Sequence, residues 1–108
     1  MCDHITWAVC ICEEVARPEV KLLFDIYHMQ IMDGDLIETI RTHSDWLHHY
    51  HTGDIPGRHE IDASQEVNYP AVMRAMLDTG FTGFVAHEYV PTISPELSVK
   101  QAFDLCNV

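Results

Sequence analysis

Basic residues are scarce in this chain. Lys and Arg together number 6 against 17 Asp and Glu, a formal charge of −11 with the 8 histidines counted neutral. Charge of that sign repels phosphate backbones and anionic lipid headgroups, which argues against nucleic-acid and membrane partners. Long apolar runs are missing too: stretches such as Ile5 to Cys12 and Val20 to Phe24 fall far short of the roughly 20 residues that span a bilayer. No basic segment precedes Ile5, so a cleaved secretory signal has no support and the expected location is cytoplasmic. A CxxC pair is absent as well. Cys10 and Cys12 lie one residue apart on what reads as a helix, where side chains at i and i+2 do not face each other, and Cys2 and Cys106 sit at the chain ends. These spacings match no zinc pattern, and reduced thiols are expected.

What is present is enough for one core. At 108 residues and 47% apolar content the chain is expected to be a single domain over residues 1–108. Ile5, Ala8, Val9, Cys12 and Val15 recur at helical spacing after Asp3, a cap residue type, and Pro18 is expected to close that helix. Val20 to Ile26 is a nearly unbroken apolar and β-branched run, the pattern of a strand covered on both faces. Asp33-Gly34-Asp35 starts a second helix with Leu36, Ile37, Ile40 and Trp46 on one side, and Leu47 to Thr52 reads as a short strand. Gly53 to Asn68 is polar, contains Pro56-Gly57, and is long for a connection, which marks a functional loop. Helical periodicity returns over Tyr69 to Thr79, with Pro70 in the first turn and Gly80 as the stop. Phe81 to His87 is the third strand. Ser94-Pro95-Glu96 opens a last helix whose Leu97, Ala102, Phe103 and Leu105 are expected to face inward.

Strand followed by helix, three times over, calls for an α/β fold with a parallel sheet and right-handed crossovers. Three strands cannot close a barrel, and an eight-stranded one takes about 250 residues. The expected fold is therefore a partial (β/α) barrel of about three parallel strands with flanking helices. At least one strand edge would stay unpaired beside apolar residues such as Phe24 and Val85, which invites association with another chain.

Ionisable residues fall at the strand ends: Asp25 on the first, His51 on the second and Glu88 on the third. Carboxyl ends of parallel strands are where ligands bind, and two carboxylates with one imidazole suit a divalent cation such as Mn²⁺, Mg²⁺ or Co²⁺. The alternative is that Asp25 and Glu88 cap the helices that follow them. His28, three residues past Asp25, and Arg58, seven past His51, are placed in loops at the same mouth, where an imidazole and a guanidinium can hold the oxygens of a small hydroxy-carbonyl substrate. Strand alternation points His49 and His51 one way and His48 the other. His4, His43 and His59 read as solvated, and Trp7, Trp46, Met73 and Met76 as core.

Four segments carry a resemblance. Val20-Lys-Leu-Leu-Phe-Asp-Ile-Tyr-His-Met-Gln-Ile-Met-Asp-Gly-Asp35, His51-Thr-Gly-Asp-Ile-Pro-Gly-Arg-His-Glu60, Glu66-Val-Asn-Tyr-Pro70 and Gly80-Phe-Thr-Gly-Phe-Val-Ala-His-Glu-Tyr89 resemble the carboxyl-terminal part of the hydroxypyruvate isomerase family, a group of xylose isomerase-like TIM barrels. The resemblance implies that the three strands correspond to the family's sixth to eighth. It implies metal ligation by Asp25, His51 and Glu88, substrate contacts from His28 and Arg58, and proton transfer by Glu88. The implied reaction interconverts a hydroxy-aldehyde and a hydroxy-ketone through an enediolate. The family's second proton-transfer glutamate, on an upstream strand, has no counterpart here; Glu60, Glu66 and Asp54 are poor substitutes. Two expectations follow: an isomerase half-site that needs a homo-oligomer or a complementary upstream half-barrel, or a non-catalytic barrel fragment that assembles with another chain and binds metal weakly.

Overall fold

The computed structural model describes residues 3–108, and Cys2, read above as a reduced thiol, lies outside them. Helix α1 (Ile5–Val15) leads to β1 (Leu22–Asp25), α2 (Ile26–Met32), α3 (Leu36–His43), a 3-10 turn (Ser44–Trp46), β2 (Leu47–Thr52), α4 (Tyr69–Asp78), β3 (Phe84–His87) and α5 (Pro95–Cys106). The strands form one parallel sheet in the order β1-β2-β3, an open partial (β/α) fold as the alternation of elements requires. No helix among the described residues is long and apolar enough to cross a membrane.

Register and alternation decide which residues reach which face. Phe24 pairs with Tyr50 and Tyr50 with Val85, while Leu23 pairs with His49, His49 with Phe84, Asp25 with His51, and His51 with Ala86. The first row packs under the helices: Phe24, Ile26, Ile40, Leu47, Tyr50 and Tyr69 are buried to 2% exposure or less. Burial pushes the Tyr50 phenol up to about 12. The opposite face is open, with Leu23 50% and Phe84 80% exposed. This is the face that a closed barrel turns inward, and here the rows around Leu23 and Phe84 stay uncovered by the described residues.

Several expected boundaries move, each for a local reason. β1 is shorter than Val20–Ile26, because Asp25 already serves as the N-cap of α2, a helix not foreseen in the Ile26–Met32 segment. β3 begins at Phe84 rather than Phe81, since Phe81 turns its ring against Tyr50 at 4.8 Å. Gly83 makes that turn possible: a Cβ there would sit 2.7 Å from the Phe81 ring and 2.8 Å from the His48 carbonyl oxygen. In α5 the inward residues are Ser98 and Ala102, both 0% exposed, with Leu105 packed against the core as expected, whereas Leu97 and Phe103 face outward at 52% and 59%. Small side chains let α5 approach closely, and the Ser98 hydroxyl bonds the Tyr89 hydroxyl at 2.7 Å. Trp7, expected in the core, is 48% exposed. Met73 and Met76 are buried as expected, and no disulfide joins Cys10, Cys12 and Cys106.

α1 is capped from a distance. Its N-cap position is His4 rather than Asp3, and no side chain of its own closes the first turn. Asp33, just past α2, supplies the acceptor instead: Oδ2 takes the Ile5 N–H at 2.8 Å, and Oδ1 lies 2.5 Å from His4 Nδ1. His4, read as solvated, thus has a partner. The Asp33 hydrogen bond raises the His4 pKa above 6.5. Burial works against the charged Asp33, but the Ile5 N–H and His4 outweigh it and hold the carboxyl below 3.8. The histidine's contribution is complete below 6.5 and fades as pH rises through its raised value; the aspartate's is complete above 3.8 and fades as pH falls through its lowered one. The pair therefore acts best between those limits. Thermal melts of His4→Ala and the parent are expected to differ most between the ordinary aspartate and histidine pKa values and to draw closer as pH rises through the raised His4 value; a difference independent of pH would remove the ion pair from the account.

Candidate metal-binding site

Three neighbouring strand ends bring their polar side chains together. Asp25 closes β1, and its carboxylate does two things: Oδ1 accepts the His28 N–H at 3.3 Å as the α2 cap, and Oδ2 accepts from Arg58 Nη2 at 2.9 Å. The helix-capping alternative therefore holds for one oxygen of Asp25, while the other faces the site and pairs with Arg58. Glu88 caps nothing, because α5 begins at Pro95. Its backbone N–H extends the ladder past β3 to the Thr52 carbonyl at 2.9 Å, which places its carboxylate beside His51. His51 Nδ1 lies 2.8 Å from Glu88 Oε2. An ionised carboxylate only accepts, so the imidazole donates through Nδ1, and Nε2 of a neutral ring keeps its lone pair. The His51 hydrogen bond first, and the Arg58 charge next, hold the Glu88 carboxyl below its ordinary range.

Asp25, His51 and Glu88 each offer a ligand atom, and these atoms all lie within 4.8 Å of one another. Two anionic oxygens and one imidazole nitrogen are a donor set that fits a divalent cation, with water completing the shell. His49 stacks edge-on to His51 with ring centroids 5.0 Å apart, one row deeper on the same face, and lies outside this trio.

Arg58 reaches the trio from the long loop after β2. Its guanidinium donates to Asp25 and to Glu88 Oε2 at 2.5 Å, meets His28 Nε2 at 2.9 Å, and lies 5.0 Å over the Tyr27 ring. His28 stands at the same mouth, but on the first turn of α2 rather than in a loop. A cleft of about 490 Å³ along the β1 edge is lined by Asp25, His28, Leu23 and Met29, among others.

The loop is held by contacts that sequence spacing does not reveal. Tyr69 is fully buried, and its hydroxyl donates to the Gly53 carbonyl at 2.7 Å while accepting the Gly53 N–H at 3.0 Å. Gly53 itself passes so close to the site that a Cβ would meet the Glu88 carbonyl oxygen at 3.1 Å. Farther along, the Val90 N–H bonds the Arg58 carbonyl at 2.9 Å, and His59, also read as solvated, bonds the Val90 carbonyl at 2.8 Å. Buried Glu60 accepts the N–H groups of Thr92 and Ile93 at 2.6 and 2.8 Å. Its own backbone N–H, and those of Ile93 and Thr92, keep its carboxyl below the usual range. Residues 58–60 and 88–93 are thereby laced into one strap. Glu60→Ala is expected to lower the melting temperature and to raise amide exchange at Thr92 and Ile93, with a smaller effect for Glu60→Gln, which keeps an acceptor oxygen. Equal exchange in all three proteins would show that the strap is held elsewhere. On the other face of the sheet the Thr52 hydroxyl pairs with His87 Nδ1 at 2.8 Å, and burial pushes the His87 pKa down.

No further carboxylate joins the trio among the described residues. Glu60 is committed to the strap, and Asp54 accepts the His59 N–H within its own turn.

A parallel βα sheet with a carboxylate, an imidazole and a carboxylate at adjacent strand ends defines a class, and comparison with known proteins agrees: a family model described as the xylose isomerase-like TIM barrel matches residues 3–107, and the chain belongs to that family. Within it, the chain is related to hydroxypyruvate and 2-oxo-tetronate isomerases. It is 30% identical over 93 residues to the hydroxypyruvate isomerase of Escherichia coli K12, covering 86% of this chain and 36% of that protein. It is 36% identical over 81 residues to the 2-oxo-tetronate isomerase of Cupriavidus necator, covering 75% of this chain and 31% of that one. A crystal structure described as an AP endonuclease, family 2, from Brucella melitensis superposes with a TM-score of 0.85 at 36% identity, over 90% of this chain and 37% of that chain. The chain thus spans about a third of the length of the relatives it matches.

Proposed function

We propose that this chain, one partial-barrel domain over residues 1–108, supplies strands six to eight of a hydroxypyruvate isomerase-type site. The observation that carries the reading is the convergence of Asp25, His51 and Glu88 within 4.8 Å at the ends of three adjacent parallel strands. In this reading the three residues hold a divalent cation, Mn²⁺, Mg²⁺ or Co²⁺, while His28 and Arg58 bind oxygens of a small hydroxy-carbonyl or sugar substrate. A cation bound there supplies positive charge that favours the enediolate. The Glu88 carboxylate moves the proton beside the carbonyl, and Arg58 and His28 fix the substrate so that this proton faces it. The reaction class is aldose–ketose isomerisation.

The carboxylate that would work from the opposite side is not among the described residues, so the site is complete only when a homo-oligomer or a complementary upstream half-barrel adds a wall. The open inner face, with Phe84 80% exposed, supports such an assembly and also favours a second reading, a non-catalytic fragment that assembles and binds metal weakly. The test is Mn²⁺-dependent isomerisation of hydroxypyruvate by the chain alone and with the first five strands of a family barrel supplied in trans. Negligible turnover alone and gain on complementation support the half-site. Turnover of about 1 s⁻¹ or more by the chain alone as a monomer contradicts it, the same turnover confined to an oligomeric fraction assigns the missing wall to a second copy, and silence in both arms favours the non-catalytic reading.

A further inference from the structure

The Arg58 guanidinium stands at the focus of the three candidate ligands. A single nitrogen, Nη2, bonds Asp25 Oδ2 at 2.9 Å and Glu88 Oε2 at 2.5 Å, and Glu88 Oε2 is also the oxygen that His51 reaches. These are oxygens that a cation shared by the trio would take. We infer that Arg58 and the divalent cation compete for Asp25 and Glu88, so that binding the ion expels the guanidinium from the trio and turns it toward the mouth. The inference rests on the metal-site reading above and goes beyond it by giving Arg58 two mutually exclusive positions.

The physical argument is one of space and charge. Small divalent ions such as Mg²⁺ and Zn²⁺ sit about 2.0–2.2 Å from carboxylate oxygens, and a guanidinium nitrogen already bonded to the same two oxygens occupies that volume and carries charge of the same sign. Arg58 can leave without the backbone moving. Its N–H is tied to the Asp54 carbonyl and its own carbonyl accepts the Val90 N–H, so the main chain is pinned, whereas the side chain is 28% exposed. Its outer nitrogen, Nη1, already meets His28, whose side chain is 52% exposed. Release breaks two ion pairs and the cation–π packing on the Tyr27 ring, which offsets part of the ion's binding free energy. Once released, the planar fork presents its donors beside His28, suited to a carboxylate or vicinal oxygens. Metal loading thereby precedes capture of an anionic substrate.

Two measurements on the full chain test this. Calorimetric titration with Mn²⁺ should show Arg58→Gln binding about fivefold tighter or more than the parent. Because removing any nearby positive charge strengthens cation binding, the second measurement uses the unaltered chain: phenylglyoxal labelling mapped by mass spectrometry, with Arg17, Arg41 and Arg74 as internal references. Competition predicts that Mn²⁺ accelerates labelling of Arg58 relative to the other three. Labelling of Arg58 that is unchanged or slowed by bound Mn²⁺, or equal or weaker affinity in Arg58→Gln, overturns the competition while leaving the metal site intact. Failure of both proteins to bind Mn²⁺ rejects the metal site and the competition together.

Discussion

Glu88→Gln is expected to lower metal-dependent isomerisation by the complemented barrel about 10²- to 10⁴-fold, the range for removal of a general base. The substitution keeps the shape of the side chain and one acceptor oxygen, so the contact with His51 Nδ1, 2.8 Å from Glu88 Oε2, can persist. What it removes is the negative charge that pairs with Arg58 and the ability to take a proton. Weakened metal binding is a second route to the same loss, and saturation separates them. If millimolar Mn²⁺ restores the rate of Glu88→Gln, the residue is a ligand only and the proton-transfer role is withdrawn. A deficit that persists at saturation assigns both roles to it.

Tyr69→Phe should destabilise the chain by about 1–3 kcal/mol, the cost of leaving buried polar groups without partners. The phenol is 0% exposed and serves both the N–H and the carbonyl of Gly53, so removing one oxygen orphans two backbone groups. Gly53 also lies against the Glu88 carbonyl and the Arg58 side chain, so the loss is expected to reach the site. Urea denaturation of Tyr69→Phe should show a lower midpoint with an unchanged slope. A midpoint within error of the parent would mean that Gly53 finds other partners, and that Tyr69 contributes only its ring.

The contrast between what the sequence foretold and what it hid follows from range. β2 was legible at both ends, Leu47 to Thr52, because alternation and flanking turns are local signals, and the same holds for the Gly53–Asn68 loop and for the start of α4 at Tyr69 with Pro70 in its first turn. That Asp25, His51 and Glu88 come together was legible because each falls at or beside a strand end on neighbouring parallel strands. α2 was hidden because Asp25 ends a strand and caps a helix in one residue, leaving no turn between them. The outward Leu97, Phe103 and Trp7 were misplaced because apolar spacing marks a face for burial without naming what buries it, and an open sheet leaves some faces uncovered. Contacts across 28 to 33 residues, such as Asp33 to Ile5, Thr92 and Ile93 to Glu60, and Arg58 to Asp25, have no local pattern at all.

Calorimetric titration of Mn²⁺ into the parent chain, Asp25→Asn and His51→Ala tests the central claim most directly. Asparagine keeps an acceptor for the His28 N–H, so the α2 cap survives while the ligand charge is lost. The account predicts one weak site in the parent and at least tenfold weaker binding in each variant, since each removes one of the three ligands proposed among the described residues. Mn²⁺ affinity equal in all three proteins would contradict it.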